Sequence, residues 1–253
     1  MKRKAIIIAN AAADLSGVDT DLNNIQSFLK STSGGVWYSE EISVYRNPSL
    51  SNMLKELIRI KGRYDFLIVF FSGHGGRTLT ETAICLNDNE ELLLESQLSG
   101  LSPRQINIFD CCRTRLPDAI LESTFSKSAA MGLEHFIDGR LEPLSARELY
   151  EKRIASAAPQ QISLYSCSQD EYSLDTAGGG LYLNDFLNQA SDFTGNSAPF
   201  QTALFCQGLI SDSVARKSAR QNNSQHPDHA APKLISSQQL VISINPIKYV
   251  HGL

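Results

Sequence analysis

An imidazole and a thiol stand in this chain where they could work as a pair. His74 lies in Asp65-Phe-Leu-Ile-Val-Phe-Phe-Ser-Gly-His-Gly-Gly76, and Cys112 lies in Gln105-Ile-Asn-Ile-Phe-Asp-Cys-Cys-Arg113. A free thiol is mostly protonated at neutral pH, so a cysteine nucleophile needs a base or a positive group beside it. Cys112 is therefore the candidate nucleophile and His74 the candidate base. Gly75 and Gly76 clear side chains from where a substrate carbonyl would approach, and the Gly75 N–H could join that of Cys112 as an oxyanion hole. Taken singly, each residue has a plainer explanation, a loop histidine and a small buried cysteine. Their joint placement carries the argument.

Each of the two residues sits just past a short apolar run with the length and branching of a buried parallel strand. Open α/β sheets bind ligands at such strand ends, so neighbouring strands would deliver both side chains to one crevice. The rest of the chain supplies the alternation that such a sheet needs. Strands are expected at 5–9, 42–46 and 66–71, with helices between them at 19–31 and after a cap at Ser49 or Ser51, the latter turning Met53, Leu54, Leu57 and Ile58 inward. Beyond these, 83–86 reads as a strand, 91–98 as helix and 106–109 as the strand leading to Cys112. A helix at 145–157 with Ser145 as cap, a strand at 161–166, helices at 181–190 and 201–216, and a closing sheet strand at 240–244 complete the pattern. The stretch 113–144 has no clean period and reads as a long loop, and 222–229 as a polar surface loop. No repeat or linker marks a second domain, so residues 1–253 are expected to form one α/β domain.

Composition narrows the partners. With 23 basic and 27 acidic side chains the formal charge is −4, which leaves no basic excess to neutralise a phosphate backbone, so nucleic acid is not expected. No run approaches the roughly 20 apolar residues of a membrane span. Five cysteines, two of them adjacent, do not suit a disulfide framework, and a reducing cytoplasm is expected. The start Met-Lys-Arg-Lys-Ala-Ile-Ile-Ile imitates a signal peptide, yet Asn10 breaks its short apolar run, and a first strand accounts for the same residues. His226-Pro-Asp-His229 offers two imidazoles and a carboxylate, but Pro227 and the polarity around it favour a surface turn over a metal site. No glycine-rich phosphate loop is present.

Ser72-Gly-His-Gly75 after one strand and Asp110-Cys-Cys-Arg113 after the next resemble the two motifs of the caspase-like cysteine peptidases, a superfamily of caspases, paracaspases, metacaspases and bacterial relatives (peptidase C14). The resemblance implies a three-layer α/β/α fold around a central, mostly parallel six-stranded sheet, and a Cys112–His74 dyad. It puts Cys111 in the small-residue slot, pointing into the core. Asp110 falls where metacaspases carry a pocket aspartate, and a carboxylate there favours Arg or Lys before the scissile bond. Ser166-Cys-Ser-Gln-Asp-Glu-Tyr-Ser173 looks like the segment that walls the same pocket, with Ser166 and Asp170 as candidate substrate contacts and Asp175 as an alternative acid. Arg113-Thr-Arg115 departs from the metacaspase His-Ser-Gly, and no separate prodomain is expected before the first strand.

The chain is thus expected to be a cytoplasmic thiol protease that hydrolyses proteins or peptides after a basic residue, by resemblance a bacterial immunity or cell-death effector. Two alternatives stay open: a catalytically silent interaction module of the same fold, and the same dyad with aspartate specificity. No cofactor is expected. Calcium activation is an implication of the metacaspase likeness, for which Asp170-Glu171 or Asp88 with Glu90 and Glu91 could supply oxygens, although none forms a calcium loop. Basic residues in 113–144 make that loop a candidate for self-processing. The sequence leaves the oligomeric state open.

Overall fold

The computed structural model describes residues 1–116, 142–195 and 198–247. In chain order the strands are β1 (Arg3–Ala9), β2 (Ile42–Arg46), β3 (Phe66–Ser72), β4 (Gly75–Arg77), β5 (Thr82–Cys85), β6 (Leu92–Leu94), β7 (Arg104–Asp110), β8 (Gln160–Tyr165), β9 (Asp175–Thr176), β10 (Gly179–Gly180), β11 (Phe200–Thr202), β12 (Asp228–Ala230) and β13 (Val241–Ile244). The helices are α1 (Val18–Lys30), α2 (Leu50–Ile60), α3 (Pro143–Ser156), α4 (Leu181–Ser191) and α5 (Ala203–Ala219).

Six strands form the central sheet in the order β12-β8-β7-β3-β1-β2, parallel throughout except for β12, which runs antiparallel to β8 at one edge. The central strands are buried on both faces, which is why they read as unbroken apolar runs. Their side chains nevertheless divide by alternation. Ala5, Ile7, Phe66, Ile68 and Phe70 face a core built with α1, α3, α4 and α5, whereas Ile6, Ile8, Leu67, Val69 and Phe71 face α2 and a small antiparallel sheet, β4-β5-β6. The mostly parallel six-stranded architecture between two covering layers agrees with the expected fold class.

Several local expectations are corrected. Residues 91–98 are not an α-helix: Leu92–Leu94 pairs with β5, and a 3-10 turn follows, with the Gln97 side chain accepting from the Leu94 N–H. Three consecutive leucines fit either period, and the partner strand decides. On α2, Ser49 does cap, but Met53, Leu57 and Ile60 form the buried stripe, while Ile58 is turned out and 77% exposed. Helix α3 opens at Pro143 with Glu142 in the cap position, so Ser145 is an exposed first-turn residue; the preset φ of proline suits that start. The segment 241–244 does not close the main sheet but pairs with β11 in a separate ribbon. The sixth strand comes instead from the polar stretch around His226 to His229, because an edge strand is held by its backbone and needs no apolar side chains. The proposed processing loop lies largely within 117–141, outside the described residues.

Candidate active site

The chain order of the strands reverses between β1 and β3, and a crevice opens at their C-terminal ends. Three segments meet there. The Asn10 N–H donates to the Ser72 carbonyl at 3.0 Å, and the Gly73 N–H donates to the Asp110 carbonyl at 3.2 Å. In the β3–β7 register Ser72 stands opposite Asp110. His74 and Cys112 each follow two residues after that pair, so the structure brings both to the same rim.

No hydrogen bond joins their side chains in this conformation. The His74 ring is paired through Nε2 with Asp14 Oδ1 at 3.1 Å, and its backbone N–H donates to Asn10 Oδ1 at 3.3 Å. Cys112 Sγ donates to the Ser173 carbonyl at 3.8 Å. Burial pushes the Cys112 thiol above its ordinary value, with the nearby Asp110 carboxylate adding to the effect. A thiol raised in this way would have to lose its proton before it could act as a nucleophile. Apo enzymes commonly tighten such contacts only with substrate present.

Gly75 is placed by a strand-pairing argument. The Cys85 N–H donates to the His74 carbonyl, which makes that opposed pair the hydrogen-bonded one and leaves Gly75, opposite Ile84, in a non-bonded position. Its N–H therefore points away from β5. Two residues on, the Arg77 N–H points the same way and donates to the Thr114 carbonyl at 2.9 Å. The Gly75 amide thus faces the side along which the chain leaves Cys112. A side chain at Gly75 would strike Cys111, whose sulfur lies 2.7 Å from the position of a Cβ. Cys111 itself is buried, as its motif slot implies.

The turn at Cys112 is braced from β8. Ser166 is fully buried, and its hydroxyl accepts from the Cys111 N–H at 3.2 Å and donates to the Cys111 carbonyl at 3.1 Å. Ser166 is therefore a brace of the turn that carries Cys112. Arg113 carries the turn across to the edge strand: Nη1 reaches the Cys167 carbonyl and Asp228, and the guanidinium stacks 3.9 Å from the Tyr165 ring centre.

Three carboxylates crowd beneath the rim. Asp110 accepts from the Ser173 hydroxyl at 2.5 Å and from the Leu183 N–H at 3.1 Å. Asp21, fully buried on α1, accepts from the Ser72 hydroxyl at 2.6 Å and from the Gly180 N–H at 3.0 Å. Asp175 accepts from the Gly17 N–H at 3.0 Å. Burial pushes the carboxyls of Asp21, Asp110 and Asp175 above the usual range; for Asp21 the neighbouring Asp110 adds to it, and for Asp110 the neighbouring Asp175. Among the described residues no Lys or Arg forms an ion pair with any of the three. Gly180 lets the chain approach this closely, since a Cβ there would sit 2.1 Å from Asp110 Oδ2.

Asp170 lies elsewhere. Its carboxylate, 61% exposed, is held by the Arg77 fork at 2.8–3.1 Å, and its φ of +65° turns the chain outward. Asp175 and Asp21 are the acids that flank Asp110. Asp175 had a sequence signal as the alternative acid; Asp21 and Asp14 had none beyond being acids near a helix start.

Three of the acids considered for calcium are tied to protein groups. Asp170 holds Arg77, Glu171 holds His226 and the Ser168 N–H, and Glu91 accepts from Asn87 and from the Leu50 N–H. Among the described residues no group of three or more His, Cys, Asp or Glu could hold a metal ion. His226 and Asp228 are likewise engaged, with Glu171 and Arg113. No described helix is long and apolar enough to cross a membrane.

Comparison with known proteins agrees with this fold. The family model of the caspase domain, peptidase C14, matches residues 2–234. Among solved structures, a Geobacter sulfurreducens protein superposes with a TM-score of 0.57 at 12% identity, covering 95% of this chain and 97% of its own. Caspase-1 from Spodoptera frugiperda gives a TM-score of 0.53 at 14% identity, over 90% of this chain and 87% of its own. At such identities the two structures speak for the fold. No curated protein matches the sequence.

Proposed function

The chain belongs to the caspase domain family, and on that premise we propose that it is a cysteine endopeptidase that cuts proteins or peptides after Arg or Lys, with Cys112 as nucleophile and His74 as base. His74 takes the thiol proton as the sulfur attacks the carbonyl carbon of the scissile bond, and the N–H groups of Gly75 and Cys112 hold the resulting oxyanion. Collapse expels the amine, which leaves with the proton from the imidazole. Water then hydrolyses the thioester, with His74 again taking a proton, and the thiol is restored.

The observation that carries the basic specificity is the group of Asp110, Asp21 and Asp175, with which no Lys or Arg among the described residues forms an ion pair. Carboxylates buried without a counter-charge are costly, and a guanidinium or ammonium delivered by substrate would relieve that cost. Ser173 and Gly180, which cover the acids here, would give way to the incoming side chain. The same negative charge disfavours an Asp-cleaving enzyme. A silent interaction module is disfavoured by the retention of both His74 and Cys112 at one rim. Peptides that differ only in Arg, Lys, Asp or norleucine before the scissile bond test the proposal. Hydrolysis of the Arg and Lys peptides is expected, and Cys112→Ala and His74→Ala should each remove it while melting stays cooperative; cleavage that survives Cys112→Ala, or that prefers Asp, overturns it.

A further inference from the structure

The loop between β1 and α1 holds His74 twice: Asn10 takes its backbone N–H and Asp14 takes its ring. The geometry points to Asp14 as a positioning residue that makes the dyad a triad. This inference rests on the cysteine-peptidase reading of the same site and adds a residue to it. A carboxylate is an acceptor only, so Nε2 at 3.1 Å from Asp14 Oδ1 must carry the hydrogen. In the neutral ring the lone pair then lies on Nδ1, which is the nitrogen left to receive the Cys112 proton. The carboxylate also stabilises the imidazolium formed when that proton arrives.

The loop spans the crevice between β1 and β3, so it fixes the ring from the flank opposite to β7, which delivers Cys112. Asp14 is an exposed residue. With side chains 41% and 35% exposed, the pair is partly screened by water, so its loss should cost far less than loss of the base itself.

The test uses the full chain with Asp14→Ala and Asp14→Asn, and two readouts: turnover of the best basic peptide and alkylation of Cys112 by iodoacetamide, with His74→Ala as the reference. Asp14→Ala is expected to lower kcat about ten-fold with KM within about two-fold, to slow alkylation in step, and to leave the melting temperature unchanged. Asp14→Asn keeps an acceptor oxygen for Nε2–H and should recover most of the loss. If Asp14→Ala turns over and alkylates at the wild-type rate, or faster, Asp14 does not position the base. If the wild type cuts no basic peptide, the proposed specificity fails, and the alkylation series alone still decides the role of Asp14.

Discussion

The two ends of the central sheet bury charge in opposite ways. At the N-terminal ends of the strands, Arg3 and Arg147 face Glu41 and Glu151, with Arg147 Nη2 at 2.7 Å from Glu41 and 2.9 Å from Glu151. Arg3 also stacks over Trp37 at 4.4 Å. Although burial works against it, the Arg147 fork, the Tyr38 N–H and Arg3 hold the Glu41 carboxyl down to about 2. At the C-terminal ends, Asp21, Asp110 and Asp175 are held by O–H and N–H donors, with no Lys or Arg paired to them among the described residues, and are pushed the other way. A charge cluster whose acids and cations pair with each other serves the fold, whereas one with no Lys or Arg paired to it among the described residues is suited to a ligand that brings a cation.

Removing one charge at each end should therefore hurt different properties. Asp110→Asn is expected to cause the largest loss. Losing the acid side of a desolvated pair costs about 2–5 kcal/mol, or roughly thirty- to several-thousand-fold in kcat/KM for Arg and Lys peptides. A norleucine peptide should lose little, and the melting temperature should not fall. Equal losses on the Arg and norleucine peptides would remove the distinction between the two ends, because Asp110 would then be acting through the Cys112 turn. The mirror experiment is Glu41→Ala. It leaves two largely buried guanidinium groups with Glu151 in place of the two carboxylates they share, and about 2 kcal/mol of unfolding free energy should go with it in urea titrations. Peptide turnover per folded molecule should stay at the wild-type level.

The C-terminal end of the sheet was only half legible in the sequence. His74 and Cys112 could be read because buried parallel strands appear as unbroken apolar runs, and each motif begins where its run stops. Their mutual register, Ser72 opposite Asp110, needed no information beyond equal offsets from the two strand ends. Asp21 could not be read. An acid in the first turn of a helix ordinarily answers the helix dipole, and only the packing of α1 across the sheet brings it to Ser72 and Gly180. The choice between Asp170 and Asp175 was similarly hidden, since a single left-handed residue turns one outward to Arg77 and sends the other back beneath the rim. The sixth strand was lost for a related reason: β12 is specified by its backbone pairing with β8, and its side chains read as a polar loop.

The pH dependence of stability separates the two ends by sign, and Asp21→Asn isolates the functional one. A carboxyl whose folded value is raised contributes stability that is fully present below the ordinary carboxylate range and is lost as pH rises through the raised value. Asp21 and Asp110 belong to that class, and Glu41 to the opposite one, whose contribution is present at neutral pH and lost as pH falls towards about 2. Asparagine at position 21 can still accept from the Gly180 N–H and can donate to the Ser72 hydroxyl, so the bonding survives while the charge goes. Asp21→Asn should accordingly be more stable than wild type at pH 8, with the gap closing as pH falls through the ordinary carboxylate range. The same variant should bind basic peptides less tightly, as a raised KM for the Arg substrate. If Asp21→Asn is instead destabilised equally at pH 4 and pH 8, the carboxylates at this end are held as firmly as those at the other, and the contrast that assigns them to substrate is lost.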